Sequence, residues 1–123
     1  MAVYDPGDQY GVGYTWLSTT RIGYDVAKIK ARLPGAPVDS WRMFFDRAVL
    51  AKFQDCIVSV LDAPGDVVSV VLIFLGKDSN SESPEDLKAA EQVLLSIRPY
   101  VRLIDSTRYY YALANGEVCV ALG

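Results

Sequence analysis

Apolar residues along the chain fall into two kinds of run that take turns. Short, mainly apolar runs of strand length occur at residues 57–61, 101–104 and 118–122, and the stretches between them space apolar residues three and four apart, the helical rhythm. The clearest helix follows Ser83, its predicted cap. Pro84 fits a first turn, Glu85 and Asp86 favour the N-terminal dipole, and Leu87, Ala90, Leu94 and Ile97 form one stripe, with Lys88, Glu91 and Gln92 on the wet side until Pro99 ends the element. Pro64 opens another helix that runs to Leu75 and stops at Gly76, ahead of the polar loop 77–83. Ser106 or Thr107 starts a third, ended by Asn115 and Gly116. Upstream, residues 11–24 read as extended chain, two short strands. Asp39 or Ser40 then caps a helix through Trp41, Met43 and Phe44, and a second amphipathic stretch covers 48–53.

Strands that alternate with helices predict one α/β domain over residues 1–123, an open, mostly parallel sheet with helices on both faces. In such folds ligands bind beyond the carboxyl ends of the strands. Two helices break the pattern. Between Val67 and Leu75 only Ser69 is polar, so this helix has no solvated face and predicts either a partner or a central position under a neighbouring loop. Thr107 to Ala112 repeats the anomaly, because three consecutive tyrosines, Tyr109, Tyr110 and Tyr111, cover most of a helix circumference and at least one must face outward.

Composition narrows the chemistry. The 123 residues are 51% hydrophobic, enough for one core, and fifteen acidic against twelve basic residues leave a net charge of −3. With no basic run, nucleic acid is not an expected partner, and a small cation suits the balance better. No apolar run reaches membrane-spanning length, and residues 1–10 lack the basic and apolar pattern of an export signal, so as written the chain is expected to be soluble and without a signal peptide. The absence of histidine removes the usual nucleophile activator, general base and metal ligand together. Gly11 and Gly13 lack the rest of a dinucleotide fingerprint, so no cofactor, no metal and no enzymatic activity are expected. Cys56 and Cys119 stand 63 positions apart, which allows a disulfide or two buried thiols. Asp62 and Asp66 flank Ala63-Pro64-Gly65 just after a strand; they are seats for an ammonium group or caps for the helix that follows.

Five runs in order along the chain carry a family resemblance: Ile22-Gly23-Tyr24, Ala36-Pro37-Val38-Asp39-Ser40-Trp41, Leu61-Asp62-Ala63-Pro64, Leu75-Gly76-Lys77-Asp78, and the longest, Leu113-Ala114-Asn115-Gly116-Glu117-Val118-Cys119-Val120-Ala121. Together they resemble periplasmic putrescine/spermidine-binding proteins of the ABC-transporter solute-binding family. The resemblance implies most of the second lobe of a two-lobe, hinge-closing protein whose ligand lies between lobes. It further implies that Cys56 and Cys119 form the family's disulfide, that Asp66 falls at an acidic ligand contact, and that Ser106 or Thr107 falls at a hydroxyl contact. Trp16 is an additional candidate for contact with an amine.

The departures from the family pattern are concentrated. The pattern has glycine where Arg21 and Ile57 stand, Pro-Ala at Ser69 and Val70, Asn at Ile73, and Ile-Asn-Asp at Tyr110, Tyr111 and Ala112. Most replace small or polar groups by bulkier apolar ones, and they include both anomalous helices. The expectation is an excised, engineered lobe whose former ligand and interlobe face has been resurfaced. That lobe would stand alone or pair as a homodimer through Val70, Ile73, Phe74, Tyr110 and Tyr111, with polyamine binding weak or absent. Retained weak polyamine binding is the alternative.

Overall fold

The computed structural model describes residues 19–123. Strand β1 (Ile22–Tyr24) leads into helix α1 (Val26–Arg32), whose N-terminus is capped by the Asp25 carboxylate accepting from Lys28 N at 3.0 Å. Helices α2 (Arg42–Phe45) and α3 (Arg47–Leu50) follow, the latter tightening into a 3₁₀ turn, Ala51–Phe53. Then come β2 (Ile57–Val60), α4 (Pro64–Phe74), α5 (Pro84–Ile97), a 3₁₀ turn at Arg98–Tyr100, β3 (Val101–Ile104), α6 (Tyr109–Ala114) and β4 (Val118–Leu122).

The four strands form one open sheet in the order β1-β4-β2-β3. Strand β2 runs parallel to both β3 and β4, while β1 closes the other edge antiparallel, with Ile22 opposite Leu122 and Tyr24 opposite Val120. Two apolar clusters cover the two faces. The larger joins Val58, Val120 and Leu122 of the sheet to Ile29, Phe44, Leu50, Phe53, Val71 and Ile97, drawn from α1 to α5. The smaller joins Val118 and Ala121 to Ala112, with Ile57, Leu103, Tyr109 and Leu113 around them, and lies under α6 alone. Each fully buried Phe or Leu of the larger cluster contributes roughly 1.5–3 kcal/mol. Ser59, in the middle of β2, is fully buried and its hydroxyl has no hydrogen-bond partner among the described residues.

The expected α/β sheet is present, and most predicted elements fall where the patterning put them. Gly76 (φ 72°) and Gly116 (φ 75°) stop α4 and α6 in the left-handed conformation that glycine adopts without strain. Several local expectations are corrected. Helix α1 was not anticipated, because only Ile29 of its seven residues is buried. Ser40 serves α2 by accepting from Arg42 N at 3.2 Å, whereas Ser83 makes no side-chain cap for α5. In its place Asp86 gathers Lys77 and Ser81 at 2.7 Å each, which ties the loop to the helix and lowers the carboxyl's pKa. Leu87 of the predicted apolar stripe is exposed. The start of α6 is organised by Asp105 instead of Ser106 or Thr107, and the two predicted strands of residues 11–24 survive in the described part as β1, with residues 11–18 outside it.

Candidate functional site at the carboxyl edge of the sheet

The parallel strands all end on one edge, and two chain turns meet there with the end of β4. Leu61 N donates to Leu122 O at 2.9 Å, Asp105 N donates to Val60 O at 3.1 Å, and Arg21 and Gly123 exchange backbone hydrogen bonds, so the turns after β2 and β3 and the last residues of β4 are fixed to one another. A Cβ on Gly123 would overlap the ring of Tyr109, so the final turn is closed tightly against α6.

The sequence candidates sort cleanly on this edge. Asp66 lies exposed in the first turn of α4, where the helix dipole favours a carboxylate. Neither Asp62 nor Asp66 caps α4; the cap position is Ala63, which has no side chain to do so, and both carboxylates remain open to solvent. Ser106 sits in the turn after β3, where its hydroxyl accepts from Asp62 N at 2.9 Å and joins the two loops. Thr107 donates its hydroxyl to Asp105 at 3.0 Å. Trp16 lies outside the described residues.

Asp105, which sequence reasoning passed over, organises this turn. Its carboxylate accepts from Thr107 N at 2.7 Å and Arg108 N at 2.8 Å, with Arg108 Nε at 3.1 Å, and these backbone donors first of all lower its pKa from the ordinary 3.8 to about 2. The signal was an acid two and three residues ahead of the amides it accepts from, the spacing of a local side-chain turn before a helix.

Two concavities open beside these loops. One, of about 290 Å³, lies between the end of β3, the start of α4 and the last turn of α5; its walls are largely apolar, with Asp62 and Arg98 on its lining. The other, of about 680 Å³, is lined by Ile22, Val38, Trp41, Ile73 and Phe74, with Asp39, Ser40 and Arg42 contributing polar groups. Ile22 pairs with Leu122, so this cleft reaches the same edge of the sheet. Phe74 stacks on Phe45 with ring centroids 5.6 Å apart and is half-buried, whereas Ile73 is exposed. Val70 does not belong to any open face: it is 5% exposed and part of the core, because α2 and α5 both pack on α4. Tyr110 and Tyr111 are exposed on α6, which packs in the other cluster, so the two anomalous helices flank opposite faces of the sheet and do not form one patch. Cys56 and Cys119 form a disulfide with Cα atoms 6.0 Å apart at the other end of β2, away from this edge.

Exposed carboxylates beside apolar walls can hold a cationic group on an alkyl chain, but no paired acid and base is assembled here among the described residues. Among the described residues no group of three or more acidic or cysteine side chains could hold a metal ion, and no helix is long and apolar enough to cross a membrane.

No family model matches the chain. It is 45% identical over 120 residues to the putrescine/agmatine-binding protein of Pseudomonas aeruginosa, covering 97% of this chain and 32% of that protein. It is also 45% identical over 125 residues to the putrescine-binding periplasmic protein PotF of Escherichia coli K12, covering 100% of this chain and 34% of that protein. The chain thus spans about a third of the length of the curated relatives it matches. A crystal structure of the spermidine/putrescine substrate-binding protein PotD from Streptococcus pneumoniae superimposes with a TM-score of 0.69 at 20% identity, over 97% of this chain and 33% of that one. The open sheet and its helices therefore have the fold of one periplasmic-binding-protein lobe.

Proposed function

We propose that this chain is one lobe of a polyamine-binding transport protein, and that on its own it serves as a stand-alone or self-associating domain with productive polyamine capture lost. The observation that carries the reading is near-complete alignment to proteins named for putrescine binding, at 45% identity, over only a third of their length. A site held between two lobes takes one wall from here: Asp66 as the ammonium contact, and Ser106 as a hydroxyl that already accepts from Asp62 N. An exposed carboxylate contributes only about 0–1 kcal/mol to an ion pair. The hydroxyl of Thr107 is already engaged by Asp105, which weakens the wall further.

The apolar replacements favour covering over capture. Ile73 lies in the cleft with Trp41 and Phe74 beside the edge where an amine would sit, and an aliphatic side chain there offers no polar partner. A lobe resurfaced by engineering to live without its partner fits this distribution. The self-associating surface is then Ile73, Phe74 and Trp41, with Tyr110 and Tyr111 a separate contact on α6. Light scattering at high micromolar concentration tests it: a dimer that Ile73→Ser returns to monomer is expected, and a monodisperse monomer in the parent chain counts against pairing. Retained weak binding of putrescine through Asp66 and Ser106 is the second reading, favoured by the exposure of the Asp66 carboxylate.

A further inference from the structure

The 290 Å³ cavity between β3, α4 and α5 is near the lower end of small-ligand sites, about 300–1,000 Å³. Its walls include Val67, Ile97 and Ile104, and two opposite charges stand on its lining: Asp62 in the turn after β2 and Arg98 at the end of α5. These two groups make no ion pair with each other, and neither has a salt-bridge partner among the described residues. Arg98 is instead oriented by its own fold, with Nη1 donating to Val101 O at 3.1 Å at the start of β3. Asp62 is held through its backbone N–H by Ser106. Asp62 is thus anchored at its backbone and Arg98 at its guanidinium, and both contacts leave the charges unneutralised on the lining of a largely apolar cavity.

We infer that this cavity takes an ω-amino carboxylate, its methylene chain against Val67, Ile97 and Ile104, its ammonium at Asp62 and its carboxylate at Arg98. Such a molecule matches both charges at once and buries only its apolar spine. A diamine meets Arg98 with like charge, and a simple fatty acid meets Asp62 in the same way. The selection is therefore for bipolar ligands, and it is independent of the amine contact at Asp66.

The test is a two-dimensional NMR titration of the oxidised 123-residue chain with 6-aminohexanoate, hexanoate, hexylamine and putrescine. Shifts at Val67, Ile97 and Ile104 are expected with 6-aminohexanoate, at an affinity up to about fivefold above either singly charged analogue, the size of an exposed ion pair. Asp62→Asn should reduce 6-aminohexanoate to the level of hexanoate, and Arg98→Gln to that of hexylamine. Ala63→Leu, which adds bulk to the lining without changing either charge, should abolish the shifts while the rest of the spectrum keeps its dispersion. Equal binding of hexanoate or hexylamine to the parent chain, stronger binding of putrescine, or no shift at these residues overturns the assignment.

Discussion

Helices α4 and α6 carry the same anomaly in sequence, an apolar or aromatic side chain at nearly every position, yet α4 buries Val67, Val70, Val71 and Leu72 while α6 buries Ala112 alone. Length and neighbours make the difference. Helix α4 has eleven residues and lies against both α2 and α5, whereas the six residues of α6 pack on β4 and leave Tyr110 and Tyr111 in solvent. An apolar run states how much cover a helix requires; which other elements return to supply it is decided by topology. The face under α4 is a core, and the face under α6 is a thin layer.

The disulfide belongs to the larger cluster, tying the residue before β2 to β4, and its loss gives the largest expected effect. Replacing Cys56 and Cys119 by serine should lower stability by about 4 kcal/mol, the entropy returned to a 63-residue loop, read from the denaturant midpoint. A loss confined to α6 signals would break the comparison. Leu72→Ala, in the buried face of α4, should cost about 2–5 kcal/mol, while Tyr111→Ala should leave the thermal midpoint unchanged. Similar losses from the two would show that α6 has cover in solution.

Acid sharpens the contrast. Because Asp105 titrates near 2 when folded, against 3.8 ordinarily, its contribution is complete above about pH 4 and is lost as pH falls through 2. The amide signals of Thr107 and Arg108 should change in that window ahead of those in α4, and Asp105→Asn should remove the dependence. A small effect is expected at Ser59, whose buried hydroxyl is unpartnered among the described residues. Ser59→Ala should leave stability unchanged or raise it by up to about 1 kcal/mol.

The fold was largely legible because its boundaries are punctuated by residues with one physical meaning. Pro64, Pro84, Gly76 and Gly116 each mark a helix end as expected. Helix α1 was not, since a single buried Ile29 gives no periodicity and its only cue was Asp25. The site was legible in part. Ser106 and Asp62 do meet, but through a hydroxyl and a backbone N–H, which no residue pattern specifies. Val70 and Ile73 were indistinguishable in sequence, three positions apart on one apolar helix, and only the placement of α2 and α5 makes the first core and the second surface. The contacts of Asp105 and Arg98 are local, two and three residues along the chain, but the place of Arg98 on one cavity with Asp62 follows from the fold.

As proposed, the wall that Asp66 and Ser106 provide, with Ile73 in the adjoining cleft, should not capture an amine tightly. Isothermal titration calorimetry of the oxidised chain with putrescine and with spermidine tests it most directly. Millimolar binding or no measurable heat is expected; a micromolar dissociation constant, lost in Asp66→Asn, would contradict it.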